Sequence, residues 1–447
     1  MSIINTANYA ARAVVGTSPL TRRRMSELSK NERLSPDALH HLQSRYLHAT
    51  LQLAVRKFPF YKEISPNFGL GDVTRVLRDF PVIDKTTLLA NASLLYPHGG
   101  RALPWDLAGK TSGTTGTPLT TYRSFESTVM EQAFIRRHWE WADFPQGSTR
   151  VTLRGDMVVP LDQTHPPFWY WNHFERQLVV SSRHLQDQFI GPIIREIRRA
   201  KPRALQAYPS TAYLLAQFLA ERDDRIEIPY LFSASEPLYD HQVNLITERL
   251  GSTIMDMYGM AERVAFATGC EEGSMHINPD YSFVEIVDQR GEPTDGEGFI
   301  VGTTFHNRLM PLVRYKLSDR TRFSASACPC GRTFPVIEPV TGKYEDVIYS
   351  STGNPISPSV LTFALKGVHH IVKSQVAEIA HGRWQIRIVP MEGFSREDEA
   401  KLVDNIHHLV DPDVSIDVVL KADLPNTKEG KFRWIVNENI GSRPPCY

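Results

Sequence analysis

The sequence predicts a mixed α/β (α+β) protein with a large, multi-sheet N-terminal domain and a small C-terminal α+β domain. Three observations lead there. The chain has 447 residues, more than one ordinary core organises, so two or three domains are expected. Strand-like and helix-like runs alternate as far as Tyr281. The texture then changes twice, at Tyr281 and after Pro339.

The elements follow in order. Ser35 can cap a helix with Pro36 at its first position. Leu39, Leu42, Tyr46, Ala49 and Leu53 then recur at spacings of three and four, one buried stripe, and Pro59 ends the helix. Trp105–Tyr122 is rich in Gly, Ser, Thr and Pro and reads as a loop with strand-like flanks. Arg150–Arg154 alternates as a short strand. Ile190–Ala200 and Thr211–Arg222 read as helices, and Thr253–Met257 as a strand entering a loop. That alternation suggests a mixed sheet. Tyr281–Val287 and Gly298–Phe305 are two β runs joined by a turn-rich segment. His369–Ile379, Arg383–Val389 and Val414–Leu420 are strand-like, with an amphipathic helix over Ser395–Val410 capped by Ser395. A unit of about 100 residues is a normal domain. The expected division is 1–340 and 341–447, with the boundary near Val340–Asp346.

Composition excludes several classes. Apolar content of 41% and charged content of 22% are those of a soluble globular chain. Fifty basic residues balance fifty acidic ones, which leaves no global field for nucleic acid or an anionic membrane. The run Arg22-Arg23-Arg24 reads as a solvated helix end. No apolar run approaches a bilayer span, and Met1–Gly16 has no secretory pattern. Four cysteines in this length make no disulfide scaffold. A cytoplasmic location with reduced thiols is expected. Monomer and homodimer both remain open.

The segment Thr111-Ser112-Gly113-Thr114-Thr115-Gly116-Thr117-Pro118 concentrates hydroxyls and glycines. Glycine lets backbone approach a ligand closely. Successive N–H groups in such a turn form an anion-binding concavity, and hydroxyls add donors that rotate to fit phosphate oxygens. The spacing is not that of a Walker A loop. Composition alone leaves a polar surface loop as the alternative.

The string resembles the phosphate loop of the adenylate-forming superfamily, and more closely that of the phenylacetate–CoA ligase family and its relatives in capsular-polysaccharide clusters. The resemblance implies that Thr111 to Thr117 cradle the ATP phosphates. Many members carry Lys where this chain has Thr117, so Mg²⁺ has more charge to neutralise. Ser233-Ala234-Ser235-Glu236-Pro237-Leu238 resembles the strand-loop lining the adenine and acyl sites, which places Glu236 there. Asp256-Met257-Tyr258-Gly259-Met260-Ala261-Glu262 is similar to Tyr-Gly-x-Thr-Glu, with Ala261 in place of Thr. It implies that Tyr258, followed by Gly259, stacks on adenine and that Glu262 holds Mg²⁺.

Further motifs extend the resemblance. Arg314-Tyr315-Lys316-Leu317-Ser318-Asp319 resembles Arg-Tyr-x-x-Gly-Asp, implying that Asp319 accepts the ribose hydroxyls. Gly342-Lys343-Tyr344-Glu345-Asp346 is similar to the hinge motif of the mobile small domain, with Lys343 where an Arg usually meets the ribose. Pro425-Asn426-Thr427-Lys428-Glu429-Gly430-Lys431 resembles the loop that carries the adenylation lysine, here Lys431. A cation ~4 Å from the charge that develops at the α-phosphate is worth about 4 kcal/mol at an effective dielectric of 20. The resemblance runs from Pro81-Val82-Ile83-Asp84-Lys85 to Lys431 and covers essentially the whole chain.

Cys270-x5-His276 and the string Cys328-Pro329-Cys330-Gly331-Arg332 supply the ligand types of a closed structural zinc site. Buried free thiols beside an unrelated histidine are the other reading. The Cys-Pro-Cys-Gly-Arg string also resembles the phenylacetate–CoA ligase branch, some members of which hold zinc this way. Such a site is expected to pin Tyr281–Phe305 near the nucleotide motifs. Cys446 has no assigned role.

The activity implied by the resemblance is ATP-dependent adenylation of a small carboxylic acid, with pyrophosphate release, then transfer of the acyl group to CoA. An amine or hydroxyl acceptor and a non-catalytic relative are the alternatives. Phe168-Trp169-Tyr170-Trp171 and Tyr208-Pro209-Ser210-Thr211 are candidates for the acid pocket, the first group reading equally as core. Arg154 is a candidate to meet a charged group.

Overall fold

The protein is described from a computed structural model. It covers residues 15–439 apart from 65, 67, 69–71, 98–102, 104–105, 111–119, 146, 155–157, 161–162, 237, 342–347, 352–354, 357–360, 362–363, 365–367, 369 and 425–432. Its helices are α1 (Pro19–Ser29), α2 (Pro36–Lys57), α3 (Val73–Leu77), α4 (Lys85–Ala90), α5 (Ala92–Leu95) and α6 (Phe125–Trp141), then α7 (Asp187–Ala200), α8 (Pro209–Glu221), α9 (Asp240–Leu250) and α10 (Arg396–Leu409). The strands open with β1 (Leu107–Lys110) and β2 (Thr120–Arg123). Next come β3 (Arg150–Leu153), β4 (Trp169–Asn172), β5 (Gln177–Val180), β6 (Ala204–Ala207), β7 (Tyr230–Ala234), β8 (Thr253–Gly259), β9 (Phe266–Gly269) and β10 (Met275–Ile277). They continue with β11 (Ser282–Val287), β12 (Gly298–Thr304), β13 (Tyr315–Thr321), β14 (Val336–Ile337), β15 (Ile348–Tyr349) and β16 (Pro355–Ile356). The last four are β17 (Ile371–Ala380), β18 (Arg383–Pro390), β19 (Ser415–Leu420) and β20 (Ile435–Asn437).

The predicted α/β class holds, with several sheets. The largest has nine strands among the described residues, in the order β14-β10-β9-β8-β7-β6-β3-β5-β4. Its centre, β5-β3-β6-β7-β8, is parallel. Parallel neighbours need crossovers, and α7, α8 and α9 supply them in turn after β5, β6 and β7. Their apolar stripes, including Ile190, Ile197, Leu215 and Ile246, pack on Val151, Leu205 and Leu231. β11-β12-β13 form a separate antiparallel sheet. Ile83 bridges to Tyr315 on its β13 edge, so the Pro81–Lys85 segment lies beside the Arg314–Asp319 motif.

Local chemistry explains most boundaries. Ser35 accepts the Ala38 N–H and Pro36 opens α2, which ends at Phe58 before Pro59. Ser395 and Asp398 form a reciprocal capping box at α10. The Arg22–Arg24 run lies inside α1 and not at its end. Arg23 and Arg24 reach Glu27 one turn on, each at 3.0 Å. Phe168 is fully buried, whereas Trp169–Asn172 form the edge strand.

Residues from Ile348 onward build their own core. Ile348, Trp384, Ile386, Leu402, Ile406 and Ile435 cluster together, with α10 and the sheet β19-β18-β17-β20 around them. The predicted hinge motif, residues 342–346, lies outside the described residues. No helix among the described residues is long and apolar enough to cross a membrane.

Candidate functional site

In an open sheet of this kind ligands bind beyond the carboxyl ends of the parallel strands. Four neighbouring strands place polar side chains there. Arg154 follows β3, Tyr208 follows β6, Glu236 follows β7, and Tyr258 sits near the end of β8. The Arg154 guanidinium lies 5.8 Å from the Tyr208 ring centroid. Glu236 is nearly buried, and its Oε2 accepts the Ser210 N–H at 3.1 Å. The register pairs Ser233 with Asp256, and the Ser233 hydroxyl donates to Asp256 at 2.6 Å. Burial raises the Asp256 carboxyl above its ordinary value, and the Ser233 bond only partly opposes this.

The end of β8 meets the three-stranded sheet. Tyr258 packs against two small clusters, Ala265 with Ile286 and Ile300, and Ala267 with Ile277 and Ile337. Its hydroxyl donates to Asp319 Oδ2 at 2.7 Å. Burial, and then the Asp319 charge, hold that phenol well above its ordinary pKa, so it stays a donor. Two motifs far apart in sequence therefore meet at one hydrogen bond.

A second tyrosine meets a second carboxylate nearby. The phenol of Tyr315, fully buried in β13, lies beside the Glu262 carboxylate. Burial first, then Glu262 and Asp84, raise the Tyr315 phenol. Glu262 stands in a tight turn after β8, where Arg263 adopts a left-handed φ of 58°. Arg263 is held there by Ser127, whose carbonyl and hydroxyl oxygens both lie 3.0 Å from Nη1. Glu131 lies 3.4 Å from its Nε. Gly302 on β12 completes the seat, since a Cβ at that position would overlap the Val264 carbonyl. Thr121 Oγ1 lies 3.3 Å from the Ala261 carbonyl.

The sequence singled out Glu236, Tyr258, Gly259, Glu262 and Asp319. The structure joins Tyr258 to Asp319 directly and brings Glu262 to Tyr315 of the same motif. Thr111, Ser112, Gly113, Thr114, Thr115, Gly116, Thr117, Lys343 and Lys431 lie outside the described residues. The hairpin β1–β2, closed by the pair Lys110–Thr120, carries residues 111–119 between its strands. Tyr315, Thr121 and Arg263 contribute contacts that sequence reasoning did not assign. Tyr315 stood inside a quoted motif; Thr121 and Arg263 gave no pattern of their own.

The second cluster is Cys270, His276, Cys328 and Cys330, whose ligand atoms all lie within 4.8 Å of one another. Cys270 Sγ and Cys328 Sγ are 3.6 Å apart, and Cys330 Sγ is 3.5 Å from His276 Nε2. A tetrahedron built on Zn–S and Zn–N bonds has S···S edges of about 3.8 Å and S···N edges of about 3.6 Å. The donor set therefore fits zinc. His276 Nδ1 lies 2.9 Å from the Phe334 carbonyl, which orients Nε2 toward the sulfurs. Burial lowers the His276 pKa and favours the neutral ring that binds metal. Burial also pushes the Cys270 thiol up to about 12, a cost that a bound dication would reverse.

This cluster clips a different part of the fold from the one expected. It joins β9, β10 and the approach to β14, the edge of the nine-stranded sheet, and not β11–β12. It also reaches the N-terminal layer. Thr333 N–H donates to the Glu32 carbonyl at 3.0 Å, and Trp141 Nε1 donates to the Glu32 carboxylate at 2.9 Å. Arg332 lies over the Trp141 ring at 4.1 Å.

Comparison with known proteins agrees with the motif resemblance. Residues 348–438 match the CapK C-terminal domain family. The chain is 23% identical to the protein CapK of Staphylococcus aureus across 63% of this chain and 62% of that protein, less than two thirds of its length. It is 24% identical to the phenylacetate–coenzyme A ligase of Thermus thermophilus across 91% of this chain and 98% of that one. Among solved structures it superposes on 2-hydroxyisobutyryl-CoA ligase, in complex with 2-HIB-AMP and CoA, with a TM-score of 0.57 at 19% identity. That superposition covers 92% of each chain. It shows a shared fold.

Proposed function

We propose that this relative of phenylacetate–CoA ligases and of CapK is an ATP-dependent, AMP-forming ligase that activates a carboxylic acid and passes the acyl group to CoA. The supporting observation is the meeting of Tyr258 with Asp319 and of Glu262 with Tyr315 at the end of β8. Motifs that the resemblance assigns to one nucleotide are there side by side.

In the first half-reaction a carboxylate oxygen attacks the α-phosphorus of ATP. The bond from that phosphorus to the bridging oxygen breaks, and pyrophosphate leaves with the electron pair. Asp319 accepts the ribose hydroxyls while Tyr258 holds its carboxylate in place. Glu262 would hold Mg²⁺, which supplies charge neutralisation at the phosphates. Residues 111–117 cradle the phosphates, and Lys431 faces the developing charge. In the second half-reaction the CoA sulfur, as thiolate, attacks the acyl carbonyl. The C–O bond to AMP breaks, and the thiol proton passes to solvent. Rotation of the small domain about Lys343–Asp346 separates the two halves. The Cys270, His276, Cys328 and Cys330 cluster would hold a structural zinc ion, with no open position for chemistry.

A second reading, transfer to an amine or hydroxyl, draws support from the CapK match in the C-terminal domain and from the substituted positions Thr117, Ala261 and Lys343. Acid-dependent ATP–pyrophosphate exchange across a panel of carboxylates tests the first half. Exchange with at least one acid is expected. Normal ATP binding without exchange on any acid would make the protein a non-catalytic relative. Thioester formation tests the second half, and acyl-AMP that persists with CoA but is consumed by an amine or alcohol would establish the second reading.

A further inference from the structure

We propose that Arg123 is a binding residue for the nucleotide's polyphosphate. The inference rests on the proposed ATP reaction and adds to it a residue that no motif assigns. Arg123 closes β2, the strand that leaves residues 111–119. Its guanidinium lies over Gly109 of β1. A Cβ on Gly109 would come within 2.7 Å of both Cζ and Nη2 of Arg123. A side chain at position 109 would push the guanidinium from this place.

The other side of the guanidinium meets the turn that carries Glu262. Nη2 donates to the Ala261 carbonyl at 2.6 Å. The Arg123 side chain therefore lies between the backbone of β1 and the residue just before Glu262. Its Nε is buried with no hydrogen-bond partner. Arg263, its neighbouring cation, has Glu131 at 3.4 Å. Among the described residues no carboxylate lies within ion-pair distance of Arg123. A half-buried cation with an unsatisfied donor is costly until an anion arrives.

The position selects the anion. Arg154 and Tyr208, at the ends of β3 and β6, lie against each other, whereas Arg123 lies against the residue just before Glu262. A multiply charged phosphate chain fits that place, and an arginine fork suits phosphate oxygens. Burial and the Arg263 charge both lower the Arg123 pKa, so an arriving anion gains more there than at a solvated arginine.

The test is calorimetric titration of the full chain, in Mg²⁺, with ATP and separately with AMP, for the wild type, R123Q and R123K. ATP binding should weaken about tenfold or more in R123Q and AMP binding by less than about twofold. R123K, which keeps the charge without the fork, should fall between. Equal weakening of ATP and AMP would make Arg123 only a clamp on Ala261 and overturn the proposal. Unchanged ATP affinity would overturn it too. Should R123Q fail to fold, as read by its melting transition, R123K carries the same ATP-to-AMP comparison. A wild type that binds no ATP would instead sink the proposed function itself, and this role with it.

Discussion

The Tyr258 hydroxyl donates to Asp319 Oδ2 at 2.7 Å, across 61 positions of sequence. One carboxylate oxygen is thereby held by the protein, and the orientation of the other is fixed. D319A should abolish discrimination between ATP and its 2′,3′-dideoxy analogue, measured by competition binding. Y258F should keep that discrimination and weaken ATP by roughly three- to tenfold, since one hydrogen bond to a charged group is lost. Loss of discrimination in Y258F but not in D319A would remove Asp319 from the ribose role.

The buried Tyr315 phenol lies beside the Glu262 carboxylate. Y315F should raise the Mg²⁺ concentration for half-maximal pyrophosphate exchange several-fold at saturating ATP, with a smaller effect on the maximal rate. Mg²⁺ titration of the exchange rate reads this directly. An unchanged Mg²⁺ requirement would reduce Tyr315 to core packing.

Metal analysis of the purified protein should find about one zinc per chain, as four protein ligands close one site. Chelation should lower the melting temperature without removing ATP binding at low temperature. C270S should mimic chelation, whereas C446S should not. Less than a tenth of an equivalent of zinc, with full activity after chelation, would leave the four residues as free thiols and an imidazole.

Gly302 faces the Val264 carbonyl with no room for a Cβ. G302A should therefore displace the strand end that seats Glu262. An overpacked core position costs about 1–3 kcal/mol, sometimes more. Chemical denaturation should show that loss, and the surviving folded protein should lose Mg²⁺-dependent exchange before it loses AMP binding.

His138 is buried, and its Nε2 lies 2.9 Å from the Gly269 carbonyl. Burial lowers its pKa from 6.5 to about 4. The unfolded chain therefore takes up this proton first as pH falls. Stability from the neutral ring is full above about pH 6.5 and is lost progressively down to about pH 4. The contribution is about 3 kcal/mol at most, at 1.36 kcal/mol per unit. In H138Q the acid limb of the stability–pH curve between those values should flatten. An unchanged limb would assign the acid sensitivity elsewhere.

Much of the fold was legible where one signal dominated. Ser35 with Pro36 marked α2, Ser395 marked α10, and the strand-like runs at β11, β12 and β18 matched strands. The fully buried parallel strands were harder. β5, β6 and β7 are short runs whose apolar residues carry no alternation, since both faces of the sheet are covered. Tyr258, Glu262 and Asp319 were reached through the resemblance of their motifs to those of the adenylate-forming superfamily. Tyr315 and Arg123 were missed because their roles arise from contacts between strands distant in sequence, which no local window records. The zinc ligands were legible by residue type, but their place at the sheet edge depended on β10 pairing with β14.

The bonds from Thr333 to the Glu32 carbonyl join positions 301 residues apart. This sets an order of events during synthesis. At about 5–20 residues per second, roughly 15–60 s pass between the ribosome making Glu32 and making Thr333. For that interval the segment around Glu32 lacks its docking partner at Thr333, while Trp141 and Arg137 can already meet its carboxylate. The chain can complete its N-terminal layer only after most of the protein has been made.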